Sequence, residues 1–234
     1  MKAILLAAGR GERMRPLTDH TPKPLLRVRG RSLIEWHLEA LARGGVREVV
    51  VNTAWLEQQI VATLGNGARF CLAIRWSLEG RDHGGALETA GGLKKALPLL
   101  ALAGDEPFWY VAADVFAPGF GFDAQLAGRM ADPARLGHLW LVANPPQHPG
   151  GDFEVRDGLA SRGETGARLT WSGIGLFRAG FVDELMQDLP VGTPQRLRPY
   201  LDAAIAARRL GAELWPGTWA DVGTPERLAA LDHG

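Results

Sequence analysis

The most constraining stretch of the chain is its start, where the apolar run Ala3-Ile4-Leu5-Leu6 feeds directly into Ala7-Ala8-Gly9-Arg10-Gly11-Glu12-Arg13-Met14-Arg15-Pro16-Leu17. A run this short and apolar reads as a buried strand, and the glycines end it. Gly9 and Gly11 let the backbone turn sharply with no side chain in the way, so that peptide N–H groups can converge on an anion. Arg10, Arg13 and Arg15 follow at once. Pro16 and Pro22 stop the segment from forming a long helix, and a further cation, Lys23, stands between prolines in Thr21-Pro22-Lys23-Pro24-Leu25. The same residues also read as a surface turn with its arginines in solvent. Two other glycine-loop readings are excluded by spelling: Met14 occupies the third glycine position of a dinucleotide fingerprint, and no Gly-Lys-Ser/Thr is present.

Downstream, strand and helix patterns alternate. Ser32 to Arg43 carries apolar residues at Ile34, Leu38 and Leu41 and stops at Gly44-Gly45, the spacing of a helix. Val46 to Asn52 is apolar on both faces, Trp55 to Leu64 reads as a helix, and Phe70 to Trp76 as a strand that makes Cys71 a core residue. Glu88-Thr89-Ala90-Gly91-Gly92 opens another helix, running to about Leu97, whose first N–H groups face the carboxyl ends of the strands. This predicts a doubly wound, mostly parallel α/β sheet in a single domain, with ligands bound beyond those carboxyl ends. Phe108 to Val115 is an apolar strand closed by Asp114. A carboxylate there is costly unless paired or metal-bound, although an aspartate capping the following loop is the other reading.

After the strand Leu136 to Val142 the alternation breaks at the proline-rich loop Asn144-Pro145-Pro146-Gln147-His148-Pro149-Gly150-Gly151-Asp152-Phe153. Phe153 to Arg156 and Leu169 to Phe177, separated by turns at Asp157-Gly158 and Arg162-Gly163-Glu164, read as a small antiparallel ribbon. Helices are expected over Ala179 to Asp188, Gln195 to Arg209 and Thr224 to Leu231, with a strand at Ala212 to Trp215. Trp219-Ala220-Asp221-Val222-Gly223-Thr224 precedes the last helix, and Asp221 alone reads as a loop aspartate making local hydrogen bonds.

The stretch from Leu6 to Leu17, with Lys23-Pro24 after it, resembles the signature of the sugar-1-phosphate nucleotidyltransferases, and the likeness continues along essentially the whole chain. It implies a nucleotidyltransferase fold with a nucleotide-binding part at about 1–143, a sugar-binding part at about 144–218, and a metal motif with a closing helix at 219–234. It also implies Arg13 and Lys23 as catalytic residues. Ala7, Ala8, Gly9, Gly11, Glu79 and Gly91 would contact the nucleotide, and Asp114 and Asp221 would hold Mg²⁺. Asn144, Gly151, Asp152, Ser172 and Gly173 would contact the sugar.

Within that family, Asn52 to Ile60, Gly151-Asp152-Phe153, Leu169 to Ile174 and Trp219 to Thr224 resemble the branch that uses UTP and N-acetylmuramate 1-phosphate. Two departures stand out. Gly80 to Gly85 makes a longer loop than is common there, and no lysine follows Lys95 to hold the sugar phosphate, which leaves Arg162 or Arg168 as substitutes. A glycosyltransferase would want Asp-x-Asp at the strand end, and a nucleotide-sugar-sensing subunit would have no reason to keep the acidic pair.

Composition sets the remaining bounds. With 26 basic and 26 acidic residues, no net charge steers the chain to nucleic acid or membrane, so any anion must be gripped locally. One cysteine excludes an internal disulfide, the first apolar run is too short for a signal peptide, and a cytoplasmic monomer or homodimer is expected.

Overall fold

The computed structural model describes residues 1–163 and 167–232; Glu164, read above as part of a turn, lies outside them. Nine strands form one sheet: β1 (Lys2–Leu6), β2 (Glu48–Thr53), β3 (Ala73–Leu78), β4 (Phe108–Ala112), β5 (Gly137–Val142), β6 (Glu154–Arg156), β7 (Leu159–Ser161), β8 (Thr170–Phe177) and β9 (Leu210–Leu214). Their spatial order is β3-β2-β1-β4-β8-β5-β9-β7-β6. The strands β1 to β4 run parallel, as do β5 and β9, whereas β8 is antiparallel to both its neighbours. The expected mixed, mostly parallel sheet is therefore present.

Residue parity along the strands builds two cores. Ile4 and Val50 face α4 (Glu88–Leu100), α5 (Ala179–Leu185) and α6 (Arg198–Ala206), while Leu5, Val49 and Val51 face α1 (Leu33–Arg43) and α2 (Glu57–Leu64). The sheet is thus covered on both sides. Helix α1 starts at Ser32, whose N–H and hydroxyl both donate to the Glu35 carboxylate, at 2.9 and 2.8 Å. A third, smaller cluster packs Met14, Val28, Leu33, Phe116 and Val222 together, and α7 (Pro225–Asp232) adds Leu228 and Leu231 to it. It fastens the end of the chain onto the segment after the glycine loop. No helix among the described residues is long and apolar enough to cross a membrane.

Several expectations are corrected. The third strand begins at Ala73, because Ala68–Phe70 forms a 3₁₀ turn that ends in Cys71 at φ 59°, and Cys71 is exposed instead of buried. The segment after Glu79 is not an open loop but a short helix, α3 (Glu79–His83). The Leu169 to Phe177 run does not pair as a ribbon with Phe153 to Arg156, and a single bridge, Phe153 to Leu169, joins them. Instead β8 inserts between β4 and β5, consistent with Ile174–Phe177 being buried without a polar alternation. The short Leu-Ala-Ser strand β7, which carries no periodicity to read, takes the place beside β6.

Two buried histidines make this fold acid-sensitive. His37 is 1 % exposed, with Nε2 2.8 Å from the Val115 carbonyl, and burial lowers its pKa to about 4. Burial likewise lowers His138 to about 4, against the attraction of Glu213. A lowered pKa means that the unfolded chain binds these protons first, so stability is full above the ordinary value near 6.5 and is lost as pH falls from there toward 4. Denaturant titrations should show this decline, and His37→Gln, which keeps an amide N–H for Val115, should make it shallower, leaving the share due to His138.

Candidate active site

The chain leaves β1 with its backbone pinned on two sides: Ala113 N donates to Leu6 O at 3.0 Å, and Ala7 N donates to Asn52 Oδ1 at 2.7 Å. Gly11 then reverses the chain at φ 67°, with Thr18 Oγ1 donating to its carbonyl at 2.8 Å, and buried Met14 anchors the 3₁₀ turn Glu12–Met14. The loop forms one wall of a cavity of about 670 Å³ that is also lined by Lys23, Asn52, Ala86, Glu88, Thr89, Tyr110 and Asp114. Ala7, Ala8, Gly9, Gly11 and Arg13 all border it. The amides of Ala8, Gly9 and Arg10 donate to no protein group among the described residues, which leaves them for an anion.

The three arginines are not equivalent. Arg10 lies over the Trp55 ring, 3.3 Å from its centroid, and donates to Thr18 O and Asp19. Arg15 pairs with Asp19 at 2.9 Å. Arg13 is exposed, borders the cavity and has no carboxylate partner among the described residues. Two arginines brace the loop and one is left for a ligand.

Asp114 and Asp221, far apart in sequence, are neighbours in space. After β4 the two-residue strand Val115–Phe116 pairs antiparallel with Ala220–Asp221, which sets Asp221 opposite Val115. Lys23, with its side chain 8 % exposed, places Nζ 2.6 Å from Asp114 Oδ2 and 3.9 Å from Asp221 Oδ1. Arg227 Nη1 lies 2.9 Å from the other Asp221 oxygen. The pair fits a hard divalent cation: both carboxylates are part-exposed, and a positive group already bridges them. Among the described residues no cluster of three acidic, histidine or cysteine side chains exists, so such an ion would take its remaining ligands from substrate and water, as Mg²⁺ commonly does.

A second cavity, of about 230 Å³, begins at Asp221 and is lined by Val115, Gln147, His148, Thr170, Trp171, Gly173 and Trp219. Tyr110, on the first cavity, stacks on Trp171, on the second, with centroids 5.4 Å apart. Of the residues expected to contact a sugar, Gly173 lies on this wall, at φ 79° in a β-bulge of β8.

The other four expected sugar contacts are not on that wall and serve the fold around it. Asn144 donates to Pro149 O and Arg168 O and accepts from Thr170, and Gly151 packs against the Arg168 and Asn144 groups. Asp152 accepts from Trp171 N at 2.8 Å, and fully buried Ser172 donates to Trp140 O at 2.6 Å. Neither Arg162, paired with Asp202 at 3.0 Å, nor Arg168 borders the cavity, whereas His148, 3.3 Å from Asp152, does.

Two nucleotide-contact expectations also lie off the first cavity. Ala90 N and Gly91 N both donate to Gln195 O, at 2.8 and 3.2 Å, so these two amides are taken by a crossing segment of backbone, whereas Glu88 and Thr89 ahead of them border the cavity. Glu79 is fully buried and accepts from Asn52 Nδ2 and Leu87 N. Burial raises its pKa, opposed by those two hydrogen bonds and by Lys95, with Glu57 adding to the rise. Asn52, Tyr110, His148, Trp171 and Trp219 are site residues that sequence reasoning did not select. Asn52 carried a readable signal, a polar side chain closing an apolar strand, the same signal that singled out Asp114.

The chain is similar to known proteins along most of its length. The family model described as Nucleotidyl transferase matches residues 2–146. The N-acetylmuramate alpha-1-phosphate uridylyltransferase of Neisseria meningitidis is 44 % identical over 97 % of this chain and 95 % of its own length. The Caulobacter vibrioides protein of the same name is 32 % identical over 97 % of this chain and 94 % of its own. A Bacillus anthracis structure described as a glucose-1-phosphate thymidylyltransferase superposes with a TM-score of 0.80 at 18 % identity, covering 100 % of this chain and 94 % of its own, which is a likeness of fold.

The two loop glycines should separate by experiment. A Cβ on Gly9 would meet no atom within 4 Å and would project where the cavity is bordered, whereas one on Gly11 would meet Thr18 and Lys23 at 3.1 and 3.2 Å from a left-handed backbone. Gly9→Ala should leave the melting temperature unchanged and weaken nucleoside triphosphate binding. Gly11→Ala should lower stability by about 1 kcal/mol or more, read by denaturant titration.

Proposed function

The chain belongs to the nucleotidyl transferase family, and we propose that it transfers a uridylyl group from UTP to N-acetylmuramate 1-phosphate, releasing pyrophosphate and forming UDP-N-acetylmuramate for peptidoglycan recycling. The observation that carries this reading is the convergence of Asp114 and Asp221 on Lys23 at the junction of the two cavities. One cavity has an anion-binding loop for a triphosphate. The other has aromatic walls and hydrogen-bonding side chains suited to a sugar. Two relatives that carry the muramate name align over nearly the whole chain, which supports the choice of sugar and base.

The reaction needs no activated side chain. The attacking oxygen belongs to the sugar phosphate, whose second pKa of roughly 6 leaves it largely ionised at neutral pH. The bond from that oxygen to the α-phosphorus forms as the bond to the β-phosphate oxygen breaks, and pyrophosphate leaves with the electron pair. What the protein must supply is alignment and charge neutralisation for two polyanions. The free amides of Ala8, Gly9 and Arg10 hold phosphate oxygens, Arg13 neutralises the departing pyrophosphate, and Lys23 faces the transferring group. The family works with a divalent cation. We assign it as Mg²⁺ held by Asp114 and Asp221, where it would add positive charge against the phosphate oxygens. His148, on the wall of the second cavity, is the group there that could meet the sugar phosphate in place of the missing lysine. A nucleoside triphosphate substrate puts the reaction in the cytoplasm.

A substrate panel tests this. With Mg²⁺ and UTP, pyrophosphate release should be much faster with N-acetylmuramate 1-phosphate than with glucose 1-phosphate or mannose 1-phosphate; the reverse order refutes the sugar assignment. Asp114→Asn should reduce turnover by about a hundredfold or more. Unchanged pyrophosphate release in that variant would mean the acidic pair is not part of the machinery.

A further inference from the structure

Glu79 borders neither cavity, yet it is tied to two stretches of the nucleotide cavity's wall. Its Oε1 accepts from Asn52 Nδ2 at 2.6 Å, and its Oε2 accepts from Leu87 N at 2.7 Å. Asn52 Oδ1 in turn accepts from Ala7 N at 2.7 Å. Ala7 stands between Leu6 and Ala8, and Leu87 between Ala86 and Glu88, and all four of those neighbours line the cavity. Glu79 and Asn52 are 0 % and 2 % exposed, so water cannot replace any link of the chain.

The direction of every link is dictated from the ends. Ala7 and Leu87 each present a backbone N–H, which can only donate. Asn52 must therefore turn its oxygen to Ala7 and its amine to Glu79, and this leaves Glu79 accepting at both oxygens. An ionised carboxylate accepts strongly at both oxygens, whereas an amide would set its NH2 against one of the two donors. The neighbouring helix is shaped for the arrangement: a Cβ on Gly92 would lie 2.6 Å from Asn52 Nδ2 and 2.7 Å from Glu79 Oε1.

We propose that Glu79, accepting at both oxygens and acting through Asn52, is a positioning residue that holds the glycine loop and the start of α4 in register for the nucleoside triphosphate. The proposal rests on the nucleotidyl-transfer reading of the site. Its logic is reversible: exchanging the acid and the amide, as Asn52→Asp with Glu79→Gln, restores all three hydrogen bonds at the same net charge. Ala7 N would donate to one oxygen of the relocated carboxylate, the relocated amide would donate to the other, and the carbonyl of that amide would accept from Leu87 N.

The experiment compares the native protein, Glu79→Gln, Asn52→Asp and the double variant, by calorimetric titration of UTP with Mg²⁺ and by steady-state kinetics in both substrates. Each single variant should weaken UTP binding and raise the KM for UTP about tenfold or more, as expected for a lost bond to a buried charged group. The KM for the sugar phosphate at saturating UTP should stay near the native value. The double variant should recover most of the loss. A Glu79→Gln variant that binds UTP as the native protein does overturns the proposal, and so does a double variant no better than the worse single one. Should a single variant fail to fold, the double variant alone decides, since only the directional network predicts that it folds and binds UTP. If the native protein binds no nucleoside triphosphate, the transferase reading falls together with this one, whereas native binding with indifferent variants removes only this one.

Discussion

The site depends on one ammonium group. Lys23 Nζ, on a side chain 8 % exposed, neutralises Asp114 directly and Asp221 at longer range. Two carboxylates brought together without a cation would repel and lose hydration, so the approach of the C-terminal motif to the end of β4 requires a positive group between them. The two-stranded pairing of Val115–Phe116 with Ala220–Asp221 supplies the backbone geometry, and the Met14, Phe116 and Val222 cluster supplies the apolar contact. Apolar packing and charge neutralisation thus converge on the same junction of chain start, sheet centre and chain end. Arg227 completes the balance on the far oxygen of Asp221, which leaves the near side of the acidic pair toward the cavities.

A chain with equal numbers of acidic and basic residues has no net charge to attract a polyanion. The structure compensates by sorting its local charges. Arg10 and Arg15 are paired with Asp19, Arg10 also against the Trp55 face, so they stiffen the glycine loop, and Arg13 borders the cavity with no carboxylate partner among the described residues. Prepaid rigidity of this kind lowers the ordering cost when a flexible triphosphate binds.

Much of the site's frame was legible in the sequence because its signals are local. The strand running into the glycine loop, the helix from Ser32 to Arg43 with its Gly44-Gly45 stop, and the carboxylate closing the Phe108–Ala112 strand each need only a few consecutive residues. What escaped depends on partners distant along the chain. Nothing in Leu169 to Phe177 says that it inserts between β4 and β5, because a strand covered on both faces reads alike in a ribbon core or in the middle of a sheet. Asn144 and Ser172 have the polarity of sugar ligands, but their hydrogen bonds are taken by Arg168 O and Trp140 O, which no local pattern announces. Cys71 followed an apolar context and was read as core, yet the preceding turn swings it outward.

Glycine shows the same limit most sharply, because in sequence it reports only a missing Cβ. Gly11 is needed for a left-handed turn, whereas Gly9 keeps a space that no protein atom fills. Gly91 and Gly92 look alike and adjoin, yet the first clears the Thr193 carbonyl of a crossing segment and the second admits the Asn52–Glu79 hydrogen bond. Gly173 lets the bulge of β8 come against Ala112, at the end of the strand that delivers Asp114. A glycine-rich motif is therefore a record of close approaches, and the chemistry that uses each one is set by what approaches: a ligand phosphate, a carbonyl, or a buried acid–amide pair. Gly91, which the family resemblance offers to a nucleoside, has its space filled from within the protein, and the nucleotide wall lies one step away, at Ala86, Glu88 and Thr89.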